Sequence, residues 1–568
     1  MKRVFNTNIK RKTVDLCGAW KFLRDEENVG LEKGYNFGLP TGRIAIVPSV
    51  WNNDLGMLEY DGVAFYEKKI TTEEGTVLFN FGSVMTEATV YLDGEEIGYH
   101  YGGFCEFEII KENVKAGEHT LVVRVNAAFN EHSIPQERVD WFNYGGIARD
   151  VLFSQLYGIC ILNSHIDYTV SDGFKAVCAG ATLELYNSEN KEISSPLTVK
   201  VGENEIYSGQ VTLSPYEKRI FKIAPVEIAN AQLWSCENPR LYAVECKTET
   251  DDLIDRVGFR RIEAKDGKIL LNGEKIQFRG VNRHEEHPEW GFAFPPALMQ
   301  KDIDLIKDLG MNTVRGSHYP QSRAFIDMLD EQGILFWSEI PIWGGGFSEE
   351  ALSDPVIVQR GLDMHKEMVK YYYNHPSIII WGMHNEIYTP YPCTHEISRQ
   401  YHQFLRENGG NRLITHASLV PLEDSSMEFD DIICLNKYRG WYTGEKESWE
   451  EVISEFDACR KEHGWENKPV IISEFGAGAL YGYHSHFDRI RWSEEYQEDL
   501  ISYCIKLFDK TDYIQGYYIW QFTNIRTSLT MKLNRIRTFN NKGILDEYRN
   551  PKSAYFAVKE LNKTLFRK

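Results

Sequence analysis

The chain has 568 residues, too many for one ordinary domain and enough for about three. Its 63 basic and 83 acidic residues give a net charge of −20, which argues against a nucleic-acid partner and an anionic membrane surface. No apolar run reaches the roughly 18 residues of a membrane span, and none follows the basic start, so neither a membrane anchor nor a signal peptide is expected. The ten scattered cysteines contain no CxxC pair, which predicts free thiols and a cytoplasmic protein.

Short strands fill the first part of the chain. Residues 1–157 contain the runs VLFNFGSV, ATVYLDGEEIGYH and HTLVVRVN, which are rich in β-branched and aromatic residues. The Leu-Asp-Gly sequence at 92–94 is typical of a hairpin turn, and the region as a whole predicts a β-sandwich. Residues 158–260 continue with runs such as ATLELYN and LYAVECKTE, and a region of this length suits a second, immunoglobulin-like sandwich.

Residues 261–568 alternate apolar strands with amphipathic helices. Eight runs predict strands, in the order KIQFRGV, NTVRGSH, ILFWSEI, SIIIWGMHNE, LITHAS, IICLNKY, PVIISEF and IQGYYIWQF. The runs are continuously apolar, as in strands buried on both faces, so they predict a parallel TIM (β/α)8 barrel. A doubly wound open sheet is the alternative, but no GxGxxG loop follows the first strand.

Several strands of this predicted barrel end in reactive residues, at the edge where barrel active sites lie. Strand 4 ends in Asn385 and Glu386, strand 6 in Asn436 and Tyr438, and strand 7 in Glu474. Two carboxyl groups across a barrel mouth can hydrolyse a glycosidic bond. One protonates the leaving oxygen, and the other attacks the sugar at a separation of about 5–5.5 Å or activates a water at about 6.5–9.5 Å. A single strand-end glutamate can equally form a salt bridge at the rim, but this pair with its histidine and aromatic neighbours favours catalysis.

The sequence resembles glycoside hydrolase family 2 over nearly its whole length. The matching stretches include VPSVWN, DWFNYGGIARDV, GVNRHEEHP, RGSHYP, HPSIIIWGMHNE and VIISEFGAGA. The resemblance implies a jelly-roll sandwich, an immunoglobulin-like domain and a catalytic barrel that cleaves β-glycosides with retention. It implies Glu386 as the acid/base, Glu474 as the nucleophile and Asn385 as the partner of the sugar 2-hydroxyl.

The roles that the resemblance implies predict the protonation states. Glu386 should be protonated at rest, with a pKa raised by burial and by the neighbouring carboxylate. Glu474 should stay ionised, with Tyr438 as the donor that holds it. Other positions match sugar-binding residues of the family: Asp140 from the first sandwich, His284 and His318 on the glycone, and Trp520 as the floor of the sugar site.

The turn Asn540-Asn541-Lys542-Gly543 follows strand 8 and is good turn chemistry by itself, so a solvated turn is one interpretation. It also resembles the Asn-x-Lys motif with which the β-glucuronidases of this family bind the uronate carboxylate. On that resemblance Asn540 and Lys542 bind the carboxylate, and the protein is a retaining β-glucuronidase. A neutral β-galactosidase or β-mannosidase of the same fold is the competing hypothesis, and a non-catalytic sugar-binding protein is a third.

Two positions depart from the β-glucuronidase pattern. Many of those enzymes have Tyr-Tyr-Gly-Trp after strand 6, whereas this chain has Arg439 in place of the second tyrosine. Arg439 would contact either the carboxylate or an axial 4-hydroxyl, which leaves a β-galacturonidase or a mixed activity open. The arginine that normally precedes the motif asparagine by four is Ile536 here, and Arg537 is expected to take its place in binding substrate.

No cofactor or metal is expected, since His-Glu-Glu-His at 284–287 follows a strand and lacks the spacing of a zinc-protease helix. The expected partners are a small glucuronide or a uronic-acid-terminated oligosaccharide and further copies of the chain in a homo-oligomer. The basic N-terminal segment would be available to cover a neighbour's site in that oligomer. Three consecutive glycines at 344–346 predict a mobile rim.

Overall fold

The computed structural model describes residues 2–528 and 535–565 and confirms the multidomain fold. Two β-sandwiches precede a closed barrel of eight strands. All ten cysteines are free thiols. Among the described helices, none combines the length and the apolar character needed to cross a membrane.

The first sandwich is built from antiparallel sheets of four and six strands with a small three-stranded sheet beside them. Its strands are β1 Thr13–Asp15, β2 Gly18–Asp25, β3 Arg43–Val47, β4 Ser49–Val50, β5 Val63–Thr72, β6 Gly75–Phe81, β7 Val84–Met85, β8 Glu87–Leu92, β9 Glu95–Tyr101, β10 Phe107–Val114, β11 Gly117–Asn126, β12 Gly146–Ile147 and β13 Val151–Leu156. The inward side chains of these strands, Trp20, Phe79 and Val123 among them, form one core.

The second sandwich packs a three-stranded sheet against a four-stranded one. Its strands are β14 Ile159–Val170, β15 Val177–Asn187, β16 Ile193–Val201, β17 Asn204–Leu213, β18 Lys218–Glu227, β19 Tyr242–Lys247 and β20 Asp252–Val257. β16 shows the sandwich pattern, with Leu197, Val199 and Val201 buried and the residues between them more exposed.

A short antiparallel sheet leads into the barrel, whose strands pair in chain order and close between the last and the first. The short sheet contains β21 Ile262–Lys265, β22 Lys268–Leu271 and β23 Glu274–Lys275. The barrel strands are β24 Phe278–Arg283, β25 Thr313–Gly316, β26 Leu335–Glu339, β27 Ile378–Asn385, β28 Leu413–Ser418, β29 Ile433–Asn436, β30 Val470–Phe475 and β31 Ile514–Ile519. β27 is buried at every position, which explains its unbroken apolar run.

Helices follow most barrel strands and cover the outside of the barrel. They are α1 Pro296–Asp308, α2 Arg323–Gln332, α3 Glu349–Ser353, α4 Pro355–Tyr372, α5 Pro392–Asn408, α6 Trp449–Glu462, α7 Glu494–Asp509 and α8 Ser553–Leu565. A 3-10 turn, Ser425–Phe429, follows β28 in place of an α-helix. After β31, the short pair β32 Ile525–Arg526 and β33 Phe539–Asn540 brings the turn at 540–543 to the barrel mouth.

The N-terminal segment packs on its own chain, which corrects the expectation that it is available to cover a neighbouring subunit. The buried Arg3 guanidinium donates to both carboxylate oxygens of Asp327 on α2, at 2.8 and 2.6 Å. It also lies 3.1 Å from Asp255 on β20. Arg3 and the other charges lower the pKa of Asp255 to about 2 despite its burial. One arginine therefore links the barrel to the second sandwich.

Replacing Arg3 with methionine should destabilise the protein, because two buried carboxylates lose their nearest counter-charge. We expect the free energy of unfolding to fall by about 3–5 kcal/mol, measured by chemical denaturation. Lys2→Met is the matched control, since the Lys2–Asp15 pair is about half exposed on both sides. Equal unfolding curves for the two variants would contradict a stabilising role for Arg3.

Candidate active site

Glu386 and Glu474 lie at the same end of the barrel, the end at which its parallel strands finish. Glu386 directly follows β27, Glu474 lies in β30, and Glu474 is buried. The backbone of Glu386 has a φ of 53°, a left-handed conformation that residues with a Cβ seldom adopt. Its amide donates to the carbonyl of Ala417 on β28 at 2.9 Å. The adjoining strand therefore holds the glutamate in this conformation.

Close packing accounts for the glycines after β26. A Cβ placed on Gly344 would lie 1.6 Å from the carbonyl oxygen of Glu386, and one on Gly346 would lie 2.7 Å from Cβ of Gln136. These contacts show why Cβ atoms are absent here, so the glycines allow the loop to support Glu386 from behind. The loop is partly exposed, and the mobile rim expected from the sequence stays a prediction.

Arg315 on β25 is the centre of the charged network at the barrel mouth. Its fully buried guanidinium donates to both oxygens of Glu339 at 2.8 and 3.0 Å and to Oε1 of Glu474 at 2.9 Å. It also donates to Oδ1 of Asn385 at 2.6 Å and to Oδ1 of Asn282 at 3.2 Å. One rigid fork thus fixes the orientation of side chains from four strands.

Glu474 is held at both oxygens. Arg315 binds Oε1, and the Tyr438 hydroxyl donates to Oε2 at 2.6 Å, which confirms the predicted donor. Burial raises the pKa of Glu474, while the Arg315 charge and the Tyr438 hydrogen bond oppose that rise. These two contacts stabilise the ionised form that a nucleophile needs.

Glu386 has the environment of a general acid. Burial, reinforced by the negative charge of Glu474, raises its pKa to about 8, as the sequence predicted. The amide of Asn436 donates to Oε1 of Glu386 at 2.8 Å, and Ser473 fixes that amide by donating to its oxygen at 2.6 Å. Because Arg315 lies against Glu474, the pair shares its charge unevenly. Glu386 carries the proton and Glu474 the negative charge.

Several buried groups at the mouth have unused hydrogen-bonding capacity. Nδ2 of Asn385 and Nε2 of both His284 and His318 are buried without a hydrogen-bond partner among the described residues. Burial holds the pKa of both histidines well below the usual range, so each ring is neutral. Nδ1 of His318 lies 2.7 Å from Oε1 of Glu339, and with the proton assigned there Nε2 is an acceptor. These free donor and acceptor atoms have the chemistry to bind hydroxyl groups.

An aromatic cluster lies beside these histidines. Trp520 stacks on His318 with the ring centres 5.0 Å apart, and it meets His284 edge-on at 5.6 Å. Trp141, from the first sandwich, lies 5.6 Å from His318 and 5.7 Å from His284. The structure therefore brings the sequence-predicted Trp520 together with both histidines. It adds Trp141, whose indole nitrogen is buried without a partner among the described residues.

The turn after β33 presents a buried cation. Nζ of Lys542 donates to the Tyr442 hydroxyl at 2.7 Å and lies over the rings of Tyr442 and Tyr438, at 4.9 and 5.7 Å from their centres. The side chain is buried, yet no carboxylate within residues 2–528 and 535–565 pairs with it. This ammonium is ready to receive an anion from outside the chain.

Asp140 reaches the same turn from the first sandwich. Nδ2 of Asn540 donates to Oδ2 of Asp140 at 2.9 Å. Arg535 binds the same carboxylate with two nitrogens, one at 2.7 Å from Oδ1. Asp140 and Asn540, both predicted from the sequence, are therefore in direct contact.

The prediction that Arg537 binds substrate is wrong, because the structure does not bring this residue to the site. It has a φ of 58°, its side chain is 56% exposed, and its guanidinium lies 3.1 Å from Glu547. The left-handed backbone turns this side chain away, and Arg535, two residues earlier, points inward instead. Arg439 lies at the rim, where its guanidinium is 3.5 Å from the Thr443 hydroxyl.

Four residues that contribute to the site were missed by the sequence reasoning: Arg315, Trp141, Tyr442 and Arg535. Arg315 and Trp141 lie inside the matched stretches RGSHYP and DWFNYGG, so their position beside predicted residues was an available signal. Arg535 had no such signal, because only the backbone conformation of the turn decides which arginine faces inward.

A protonated and an ionised carboxyl group at the mouth of a TIM barrel, with unpaired buried polar groups around them, are the arrangement of a glycoside hydrolase. The comparison with known families agrees. A model described as "Glycosyl hydrolases family 2, TIM barrel domain" matches residues 262–566, and a second model of the same family matches residues 161–260. The chain belongs to glycosyl hydrolases family 2.

Individual relatives match nearly the full length of the chain. A solved β-galacturonidase of this family from Eisenbergiella tayi, bound to galacturonate, is 32% identical over 99% of both chains, with a TM-score of 0.93. A solved β-glucuronidase from Ruminococcus gnavus is 26% identical over 99% of both chains, with a TM-score of 0.87. A putative β-glucuronidase from Formosa agariphila is 29% identical over 98% of this chain and 70% of its own length.

The activity should fall as the pH rises through about 8, because Glu386 then loses the proton that it gives to the leaving group. The alkaline limb of kcat/KM for an aryl β-glycoside that carries no carboxylate should report this ionisation. In Glu386→Gln the limb should disappear when the leaving group is a dinitrophenolate, which needs no protonation. An unchanged alkaline limb in that variant would assign the ionisation to another group.

Proposed function

We propose that this protein hydrolyses terminal β-D-hexuronides with retention, with β-D-glucuronides as the first expected substrates. The observation that carries the proposal is the buried Lys542 ammonium, which has no carboxylate partner among the described residues. A buried unpaired cation costs several kcal/mol, and a uronate carboxylate would offset that cost on binding. A neutral sugar would leave the ammonium unpaired.

The surroundings of Lys542 support an anionic group at this end of the sugar. Arg535 is a second cation close by, and its charge is already balanced by Asp140. Nδ2 of Asn540 also donates to Asp140, so this carboxylate fixes the wall beside Lys542. Relatives named β-glucuronidase and β-galacturonidase, whose substrates are both uronides, support the same class.

The residues in place support a double displacement. Glu386 gives its proton to the glycosidic oxygen while Glu474 attacks the anomeric carbon and forms a glycosyl ester. Arg315 and Tyr438 hold the two oxygens of Glu474 before the attack, so its orientation needs no adjustment. The free Nδ2 of Asn385 is available for the 2-hydroxyl. Glu386, now a carboxylate, then takes a proton from water, and the hydroxide releases the sugar.

Replacing Lys542 with methionine should selectively impair uronide hydrolysis. We expect kcat/KM for an aryl β-glucuronide to fall by about 30-fold to several thousand-fold, which corresponds to about 2–5 kcal/mol for a lost buried charge pair. The kcat/KM for the aryl β-glucoside should not fall, because that sugar has no carboxylate.

The control for Lys542 is Lys468→Met. Lys468 precedes β30 at the opposite end of the barrel and donates to two carbonyl oxygens. It should leave the ratio of the two substrates unchanged. Equal losses on glucuronide and glucoside in Lys542→Met would disprove carboxylate binding by Lys542. A wild-type enzyme that cleaves glucosides or galactosides faster than uronides would disprove the proposed function.

A β-D-galacturonide is the second candidate substrate, and Arg439 favours it. Its guanidinium lies at the rim with no carboxylate partner among the described residues, and galacturonides carry an axial 4-hydroxyl that a nearby fork can bind. The similar β-galacturonidase with bound galacturonate supports this alternative.

Arg439→Tyr separates the two epimers. We expect the ratio of kcat/KM for aryl β-galacturonide over aryl β-glucuronide to fall about tenfold, which is the worth of one hydrogen bond to a charged group. The measurement is a side-by-side comparison of both uronides and the galactoside with wild type and variant. A ratio that stays constant would remove Arg439 from the choice between epimers.

A further inference from the structure

Lys552 is a fully buried lysine that the proposed chemistry does not use. It lies just before α8, with its backbone amide bonded to the carbonyl of Ile544 at 3.0 Å. Its side chain extends beneath the turn that holds Asn540 and Lys542. It touches neither catalytic glutamate.

The ammonium of Lys552 joins three segments of the barrel mouth. Nζ donates to the carbonyl of Ala479 at 2.7 Å, to Oδ1 of Asn524 at 2.9 Å and to the carbonyl of Asn541 at 3.1 Å. Ala479 follows β30, which carries the nucleophile, and Asn524 follows β31. Asn541 is the residue between Asn540 and Lys542. One cation therefore fixes the carboxylate-binding turn to the loops after the last two strands.

Only the protonated Lys552 side chain can donate a hydrogen bond to every oxygen around it. Three oxygens surround Nζ, and an ammonium has three protons to donate, whereas a neutral amine has two. No carboxylate among the described residues makes an ion pair with Lys552, so its hydrogen-bond partners are all neutral oxygens. Loss of the proton breaks at least one of these hydrogen bonds and turns a lone pair of the nitrogen towards a buried oxygen, which costs free energy.

We propose that Lys552 is a positioning residue for recognition of the substrate carboxylate: it fixes the carbonyl of Asn541 and thereby places Asn540 and Lys542. The inference rests on the proposed function, since it assigns to Lys552 the placement of the group that binds a uronate. The carbonyl of Asn541 also accepts from the amide of Ala479 at 2.9 Å, so Lys552 is the second donor on the same oxygen.

Further hydrogen bonds fix the next residue of the turn. The carbonyl of Lys542 accepts from the amide of Gln521 at 3.1 Å and from Nε2 of Gln497 at 3.2 Å. The backbone carbonyl oxygens of Asn541 and Lys542 therefore each accept two hydrogen bonds, and Lys552 supplies one of those to Asn541. A carboxylate contact depends on a donor held within a fraction of an ångström, so loss of one of these bonds should weaken substrate binding.

The charge on Lys552 should titrate in the working range of the enzyme. Burial lowers its pKa to about 7, against the opposing effect of Glu494 on α7 and of Glu547 and Asp546 after the turn, while Arg537 lowers it further. The ammonium is present below this pH and is lost as the pH rises through it. Carboxylate binding should therefore weaken above neutral pH, in addition to the loss of the Glu386 proton.

The test compares two inhibitors that differ in the carboxylate, uronic isofagomine and isofagomine. Calorimetry should give a Kd for uronic isofagomine that rises at least tenfold in Lys552→Met, while the Kd for isofagomine changes less than twofold. In wild type, the Kd for uronic isofagomine divided by the Kd for isofagomine should rise between pH 6 and pH 8, and this rise should be absent in Lys552→Met.

The control variant is Lys559→Met on the same helix, where the lysine pairs at the surface with Asp308. It should leave both Kd values unchanged. If Lys552→Met does not fold, the pH dependence of the wild-type ratio tests the proposal without a variant. Equal effects on both inhibitors, or a wild-type ratio independent of pH, would overturn the role of Lys552. Absence of uronide hydrolysis by wild type would instead overturn the proposed function.

Discussion

The buried guanidinium of Arg315 is the interaction on which the catalytic end of the barrel depends. It balances Glu339 and Glu474 together, and it orients Asn385 through the same fork. Without this cation, two carboxylates would share a buried site with Glu386, and all three pKa values would rise. The division of labour between a protonated acid and an ionised nucleophile follows from where one positive charge lies.

The site contains a second kind of cation with the opposite role. Arg315 is neutralised within the chain, whereas Lys542 is buried beside two tyrosines and awaits a partner. The first arrangement sets the chemistry, which is common to a family with many sugars. The second is the proposed determinant of substrate choice, because a free buried charge favours the ligand that neutralises it. Catalysis and the proposed selectivity thus rest on two separate cations of the same barrel.

The sequence was sufficient for the eight barrel strands, because strands buried on both faces are continuously apolar and their order follows the chain. It also placed Glu386 and Glu474, since strand ends define the mouth of a barrel. It failed where the outcome depends on local backbone conformation. Arg537 was expected at the site, but a left-handed φ turns it outward and Arg535 inward. Gly344 was read only as part of a mobile rim, whereas the backbone of Glu386 leaves no room for a Cβ at this position. A pattern of residue types does not encode such contacts.

The position of Asp140 bears on how the substrate range of this architecture can evolve. The residue belongs to the first sandwich, yet it holds Arg535 and Asn540 of the barrel. Part of the wall beside Lys542 therefore belongs to a domain that contains neither catalytic glutamate. An insertion or exchange in that sandwich could retune which glycosides are accepted while the reacting groups stay untouched. The two domains thus share one site, to which the sandwich contributes Asp140 and the barrel contributes both catalytic glutamates.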